Sequence, residues 1–591
     1  MCGILGYIGK NDAKEILLTG LKRLEYRGYD SAGVALVNQS GVQVFKVEGK
    51  TQNLINTGFC NVDSTFGIGH TRWATKGRAD VINAHPHQSS SGRFTLVHNG
   101  VIENEASLKK LYLPEYPFIS DNDSEVVVAL IELFAKECGK THEAIQKLLT
   151  VLAGTYAICV IDAYEPDVVY AIRDKTSLLI GIGDGFCMTG SDMMSMSHCT
   201  NEFISLDNQE YAKITRNGVT FFTKQGQVVK KESFVMVLDE STFDKGDYDH
   251  YLLKEIDEQP VVIKDLITEY LATGFPVEAN RALAILKNAD KIYLVAGGTT
   301  MQTSYIGKQL IEKLADIPTE VLLAAELVGE VPLLAENPVF VFPSPTGESC
   351  DARDAIIKVQ QLGYKAIAIT NSIGSTVVRL ADETLYLKAG TEVAVTSTKT
   401  YLAQLTLFLL IARELAEKVD FDVEKELLQV SAATESVLAE KAQFQRLAQE
   451  YLVGDYAIYL GRKQDQYTAA EGALKLQELA YIKADGLVAG ELKYGKLALI
   501  EEMTPVIGII ADADTNLSMR SSLQIAQVRG AKALTIATAC LSLAEDQIII
   551  PDVHPLLTSF VTIIPTQLLA YYAGVARGID VDEPRHLAKL Y

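Results

Sequence analysis

From about residue 285 the chain alternates short apolar strands with amphipathic helices, and it then does so a second time. Segments 292–296, 339–342 and 366–370 find counterparts at 457–460, 506–510 and 533–537, and a helix over 397–415 is echoed at 558–574. The displacement is about 165 residues throughout, which marks two copies of one supersecondary plan; two are too few for a solenoid. Short apolar strands separated by helices belong to a parallel sheet covered on both faces. The prediction is therefore two tandem Rossmann-like α/β domains, at 285–425 and 426–580, followed by a polar tail, 581–591, without a core of its own.

Residues 1–240 have a different texture. Strand patterns at 31–38, 42–47, 66–70, 94–99, 157–162, 168–173 and 177–183 are broken by helical periodicity at 13–24 and 124–138. That mixture predicts an α+β layered domain. The polar, Gly-containing stretch 243–250 opens a segment, 241–284, read as linker and connecting helix.

Composition narrows the function. Of 591 residues, 48% are hydrophobic and 22% charged, and the formal net charge is −21. So acidic a chain lacks the basic face that nucleic acid or an anionic membrane requires. The longest apolar runs, 405–412 and 560–573, fall short of the roughly 18 residues of a membrane span or carry Pro or polar breaks. The start lacks the basic region of a secretory signal. Eight scattered cysteines form no CxxC pair, which argues against a zinc knuckle or disulfide framework and for a cytoplasmic setting.

Chemistry gathers first around Cys2. Removal of Met1 leaves a thiol and a free α-amine on one residue, and an α-amine titrating at about 7.7–8.0 can serve as the base. Arg72, in the loop that follows a strand, offers a fork for a carboxylate. The Asn99 amide beside the Gly100 N–H can form an oxyanion hole. Asp123, at the start of a helix, suits a substrate ammonium or an N-cap. His85 and His87 have metal-pair spacing but no third ligand.

These residues lie in MCGI (1–4), LEYRGYDSAG (24–33), HTRWAT (70–75), NAHPH (83–87) and HNGVIEN (98–104). Together the motifs resemble class II glutamine amidotransferases, whose fold is the four-layer αββα N-terminal-nucleophile hydrolase. More closely, they are similar to the isomerising glutamine:fructose-6-phosphate aminotransferase family. The resemblance implies that Cys2 attacks the glutamine side-chain amide and that Asn99 and Gly100 stabilise the oxyanion. Arg72, Thr75 and Asp123 would hold the glutamine α-groups, Trp73 would gate the ammonia route, and His85 would order the glutaminase loop.

In the repeated half, the loops Gly297-Gly298-Thr299-Thr300 and Ser344-Pro345-Thr346-Gly347-Glu348-Ser349 each join a strand to a helix. Hydroxyls and N–H groups at helix N-termini make anion sites. Either loop alone reads as an N-cap, whereas two in neighbouring turns point to a phosphate. Glu471, Lys475 and Glu478 share one helical face, as a solvated ladder or as a site. These segments resemble the sugar isomerase (SIS) domain. That resemblance implies sugar-phosphate contacts from Thr300, Ser344, Thr346 and Ser349. It further implies that Glu478 moves a proton between sugar C1 and C2 beside Lys475, and that Lys589 in DEPRHLAK (582–589) forms a Schiff base.

Two positions depart from the family pattern. Pro345 stands where the family has Gln, removing an amide and a backbone donor. Tyr494 stands where it has the ring-opening His, and a phenol titrating near 10 is a poor general base at neutral pH. The expected reaction is glutamine-dependent amination and isomerisation of fructose 6-phosphate to glucosamine 6-phosphate, by a homodimer without metal or organic cofactor. The rival readings are a divergent enzyme aminating or deaminating another sugar phosphate, and a non-catalytic sugar-phosphate-binding protein.

Overall fold

The computed structural model describes residues 2–57, 62–236, 244–272 and 274–589. Cys60, the start of the segment read as linker (241–243), and the last two residues of the tail lie outside them. The chain divides into two compact units, residues 1–241 and 242–591.

The first unit stacks four layers. An eight-stranded antiparallel sheet has Gly3–Ile8 near its middle, between Phe66–Arg72 and Phe186–Gly190. A seven-stranded sheet has Gly154–Asp162 paired with Phe94–Ile102 on one side and Val169–Asp174 on the other. Successive strand side chains point to opposite faces, and the sequence exploits that period. Leu96, Ile158 and Tyr170 face the helices Asp123–Cys138 and Thr141–Val151. Their neighbours Val97, Cys159 and Ala171 face the other sheet, meeting Ile4, Ile8 and Ile68. On the far side, Leu5 and Tyr7 pack with Leu17 and Leu21 of helix Ala13–Arg23. This is the αββα arrangement expected for the domain. The strand pattern at 177–183 forms Leu179–Gly183, which turns at Asp184-Gly185 into Phe186–Gly190.

In the second unit both copies have the same topology. The first sheet runs Thr319–Leu323, Lys291–Ala296, Pro338–Pro343, Lys365–Thr370, Glu383–Tyr386, all parallel. The second runs Lys483–Val488, Tyr456–Gly461, Pro505–Ile510, Lys532–Thr538, Ile548–Ile550. One core joins the two sheets: Ile292, Val341 and Ile369 of the first and Tyr459, Ile507 and Ile536 of the second belong to a single buried cluster. The 241–284 segment holds more than one helix. Tyr251–Asp257, Gln259–Ile267 and Val277–Lys287 all bury apolar residues in that core.

The helix expected over 558–574 forms, although a proline lies inside it. Thr558–Ala576 is one continuous helix with Pro565 inside it. Dense packing against helix Asp465–Ala480 outweighs the local cost of an interior proline, about 3 kcal/mol. Residues Pro555–Ala576 are long and apolar enough to cross a membrane, yet 89% of their most apolar window is buried inside the protein. Their apolar surface is used by the core.

In each copy the strand order reverses between the first and third strands, leaving a crevice at their carboxyl ends where ligands of open α/β sheets bind. In the first copy the loops lining that crevice are 297–299 and 344–349.

Gly33 shows how tightly the first unit is built. A Cβ there would lie 2.1 Å from the His85 carbonyl and 2.8 Å from that of Phe45. Gly33→Ala should therefore cost about 1–3 kcal/mol through overpacking, read as a lower melting temperature by circular dichroism; an unchanged melt would refute this crowding.

Candidate functional site

Two centres emerge, one in each unit. In the first, Cys2 immediately precedes the central strand Gly3–Ile8, whose pairing of Gly3 with Thr71 brings it beside Trp73. The Trp73 N–H donates to Sγ at 3.3 Å, and Sγ lies 3.4 Å from the Trp73 carbonyl. Burial pushes the Cys2 thiol above its usual range, while the Trp73 amide, Arg72 and Arg27 pull against it. The Cys2 carbonyl accepts from Asn99 Nδ2 at 2.9 Å and from Arg27 Nε at 3.1 Å. Gly100 adopts φ +125°, and an added Cβ would sit 1.9 Å from the Thr155 carbonyl, so only glycine fits.

The other expected glutamine contacts are placed as follows. Arg72 is buried, and its guanidinium donates to the carbonyls of Lys76, Gly77 and Arg78. Its fork thus clamps the loop beyond Thr75, which is itself exposed. The Trp73 ring stands edge-on to Tyr29 at 6.1 Å. Asp123 is buried and accepts from the Ile102 N–H at 2.8 Å, while the N-cap of its helix is Asn122. His85 Nδ1 accepts from the His98 N–H at 3.3 Å, and its ring stacks on His70 at 4.0 Å. Burial lowers the pKa of His70, His85, His87 and His98, that of His70 to about 3, so all four are neutral at ordinary pH. Among the described residues, no group of three or more His, Cys, Asp or Glu is placed to hold a metal.

The second centre lies at the first copy's crevice. Lys475 is fully buried, and its ammonium contacts Glu478 at 2.7 Å, Glu471 at 3.1 Å and Thr299 Oγ1 at 3.0 Å. The Thr299 hydroxyl donates to Glu471 at 3.0 Å. Thr299 comes from the first copy and the charged residues from the second, so the cluster bridges them. The two carboxylates hold Lys475 above its usual pKa against the desolvation that opposes charge, whereas burial raises that of Glu471. The ladder of the sequence is therefore a buried ion cluster, with Glu478 at its more open end.

Ser344 is buried in the loop after Pro338–Pro343, and Thr346 Oγ1 accepts from the Glu348 N–H. Ser349 is the N-cap of helix Cys350–Gln361, accepting from the Ala352 N–H at 3.4 Å. Thr300 is buried in the first turn of helix Thr299–Ala315. Lys589 is also buried, and its ammonium donates to the Glu392 carbonyl at 2.5 Å, the Glu392 carboxylate at 3.0 Å and the Ala394 carbonyl at 2.9 Å. Burial alone would raise the pKa of Glu392, but Lys589 and the amides of Thr398 and Thr400 hold it at about 2. Tyr494 is 79% exposed.

Sequence reasoning missed several partners. Thr299 had a signal, as half of a hydroxyl pair, but only helical register shows which member faces Lys475. Arg27 lay inside a quoted motif without an assigned role. Glu392 and Ser191 are isolated in sequence and become partners only through the fold.

Comparison with known proteins bears on both centres. A glutamine amidotransferase domain model matches residues 70–197, and an SIS domain model matches residues 285–413 and 455–577. The glutamine–fructose-6-phosphate aminotransferase (isomerizing) of Geobacillus kaustophilus is 48% identical over 595 residues, covering all of this chain and 99% of that protein. The one of Bacillus subtilis is 45% identical over 596 residues, with the same coverage. Among solved structures, the C-terminal domain of glucosamine-fructose-6-phosphate aminotransferase from Francisella tularensis is 29% identical with a TM-score of 0.54. It covers 57% of this chain and 99% of that one. With full-length identity of this order and both domain types in the same order, the chain belongs to the glutamine–fructose-6-phosphate aminotransferase (isomerizing) family.

Proposed function

We propose that this enzyme transfers the amide nitrogen of glutamine to fructose 6-phosphate, releasing glutamate and glucosamine 6-phosphate. The observation that carries the sugar half of this reading is the buried Lys475 ammonium between Glu471 and Glu478, at the carboxyl-end crevice lined by hydroxyl-bearing loops. A buried charge network in a cleft is where proton-transfer chemistry is tuned.

In the first unit, Cys2 attacks the glutamine carboxamide carbon, its thiol proton passing to the α-amine that Met1 removal exposes. Asn99 Nδ2 and the Gly100 N–H stabilise the oxyanion, ammonia leaves, and water hydrolyses the thioester to glutamate. Arg72, Thr75 and Asp123 hold the glutamine α-groups, Trp73 gates the ammonia route and His85 orders the glutaminase loop. In the second unit, Thr300, Ser344, Thr346 and Ser349 bind the sugar phosphate. Lys589 leaves its acceptors on Glu392 and Ala394, loses a proton and forms a Schiff base with the open ketose. Ammonia displaces it at C2, and Glu478 carries a proton from C1 to C2, with Lys475 stabilising the charge that develops.

The domain limits 1–240, 285–425 and 426–580, with a catalytic tail at 581–591, fit these roles. A cytoplasmic homodimer is part of the same reading. Val488, Tyr494, Leu499 and Met503 are exposed after the second strand of the second copy, as Leu323, Val328 and Leu333 are in the first. Such apolar surface suits a second copy of the chain. A second reading, a different sugar phosphate as substrate, draws on Pro345 and Tyr494.

Cys2→Ala, or an N-terminal tag that blocks Met1 removal, should abolish glutamine hydrolysis and leave sugar-phosphate binding intact; a fully active tagged enzyme would remove the need for the free α-amine. Borohydride with fructose 6-phosphate should trap an adduct at Lys589 by peptide mapping, and Lys589→Ala should lose sugar conversion while keeping basal glutaminase. Trapping at Lys475 instead would overturn that assignment. Tyr494→His should be tolerated and raise turnover of fructose 6-phosphate, each tenfold gain corresponding to about 1.4 kcal/mol of barrier, and Tyr494→Phe should cost little. If Tyr494→His is inactive while the parent turns over another sugar phosphate well, the second reading replaces the first.

A further inference from the structure

The Asn99 side chain is held at both ends by residues to which the reaction assigns no role. Its Oδ1 lies 3.0 Å from His70 Nε2, and its Nδ2 donates to Ser191 Oγ at 2.9 Å as well as to the Cys2 carbonyl. His70 Nε2 also lies 3.0 Å from the His98 carbonyl. A backbone carbonyl only accepts, so Nε2 must carry the proton. Burial holds the imidazole neutral, with a pKa near 3, so this is its single N–H and the tautomer is fixed. A donor at Nε2 requires an acceptor opposite, which sets the Asn99 amide with oxygen toward His70 and nitrogen toward Cys2.

Ser191 acts on the other end. Its Oγ accepts from the Ile4 N–H at 2.8 Å as well as from Asn99 Nδ2, which anchors the amide nitrogen to the strand that begins beside Cys2. The ring of His70 is itself fixed by stacking on His85. All of these groups are buried in the space between the two sheets of the first unit, where solvent cannot reorient them.

We propose that His70 and Ser191 are positioning residues that lock the Asn99 amide with its nitrogen toward Cys2; both N–H groups are engaged here, by the Cys2 carbonyl and by Ser191 Oγ, and the one on the Cys2 carbonyl is the donor that passes to the nascent oxyanion. A half-turn of that amide would present Oδ1 instead, placing an acceptor against developing negative charge. An oxyanion donor counts only if it is aimed before the charge appears. The proposal rests on Asn99 serving as that donor.

The test compares His70→Leu, His70→Gln, Ser191→Ala and Asn99→Ala in the full chain, with melting curves for each. Readouts are glutaminase kcat and KM, and the rate of Cys2 alkylation by iodoacetamide, which forms no oxyanion. His70→Leu should lower kcat by about 10²–10³, the loss typical of a missing oxyanion donor, with KM and alkylation little changed. His70→Gln, whose amide N–H can replace Nε2–H, should recover most of kcat. Ser191→Ala should lose less than His70→Leu, since the Cys2 carbonyl still holds Nδ2. The double variant His70→Leu/Asn99→Ala should be no slower than Asn99→Ala alone, as expected of residues acting through one another. Parental kcat in a folded His70→Leu enzyme overturns the proposal. Equal losses in His70→Gln and His70→Leu also overturn it. Parental kcat in Asn99→Ala refutes instead the oxyanion reading on which it rests.

Discussion

The second unit is organised around one buried charge. Lys475 has no solvent contact, and its ammonium is satisfied by Glu471 and Glu478 of its own helix and by Thr299 from the other copy. Removing a partner from such a cluster typically costs 3–5 kcal/mol, because an uncompensated charge stays buried. The two copies must therefore pack so that the first turn of Thr299–Ala315 meets the middle of Asp465–Ala480. The shared apolar core makes that packing possible, and the ion cluster gives it one register. The same contact that ties the copies together also fixes Glu478, the residue proposed to move the proton, at 2.7 Å from Lys475.

The glutamine unit holds its candidate site largely through backbone groups. Cys2 stands at the end of a central strand and contacts main-chain atoms of Trp73, while its own carbonyl is held by Asn99 and Arg27. Histidines fill the space behind it in neutral form. His70 and His85 act there as donor and acceptor of fixed direction, toward Asn99 and the His98 N–H. Arg72 is anchored to three carbonyls of the loop beyond it.

The sugar half carries the chain's own character. Pro345 occupies the phosphate loop, where its carbonyl accepts from the Asn371 N–H at 2.9 Å and from Thr370 Oγ1 at 3.2 Å. The loop is thus fixed through an acceptor at a residue that has no backbone donor. Lys589, by contrast, has all three of its ammonium protons committed to Glu392 and Ala394. Under the proposed role, Lys589 has to leave these acceptors before it can act as a nucleophile.

The sequence by itself determined the layer plan and the chemistry of the ends. Strand patterns such as 94–99 and 157–162, broken by helical periodicity, implied a layered α+β domain, and the repeat at constant displacement implied twin parallel sheets, because apolar periodicity reports which face is buried. The catalytic candidates were legible where they cluster in motifs, as Cys2, Asn99, Lys475 and Glu478 do. What the tertiary structure decided are relations between residues far apart in the chain. Examples are Thr299 rather than Thr300 beside Lys475, Glu392 opposite Lys589, and His70 with Ser191 on Asn99. Propensity and spacing act over a few residues, whereas a buried hydrogen bond is chosen by whichever donor and acceptor the packed layers bring within 3 Å. No local pattern carries that choice.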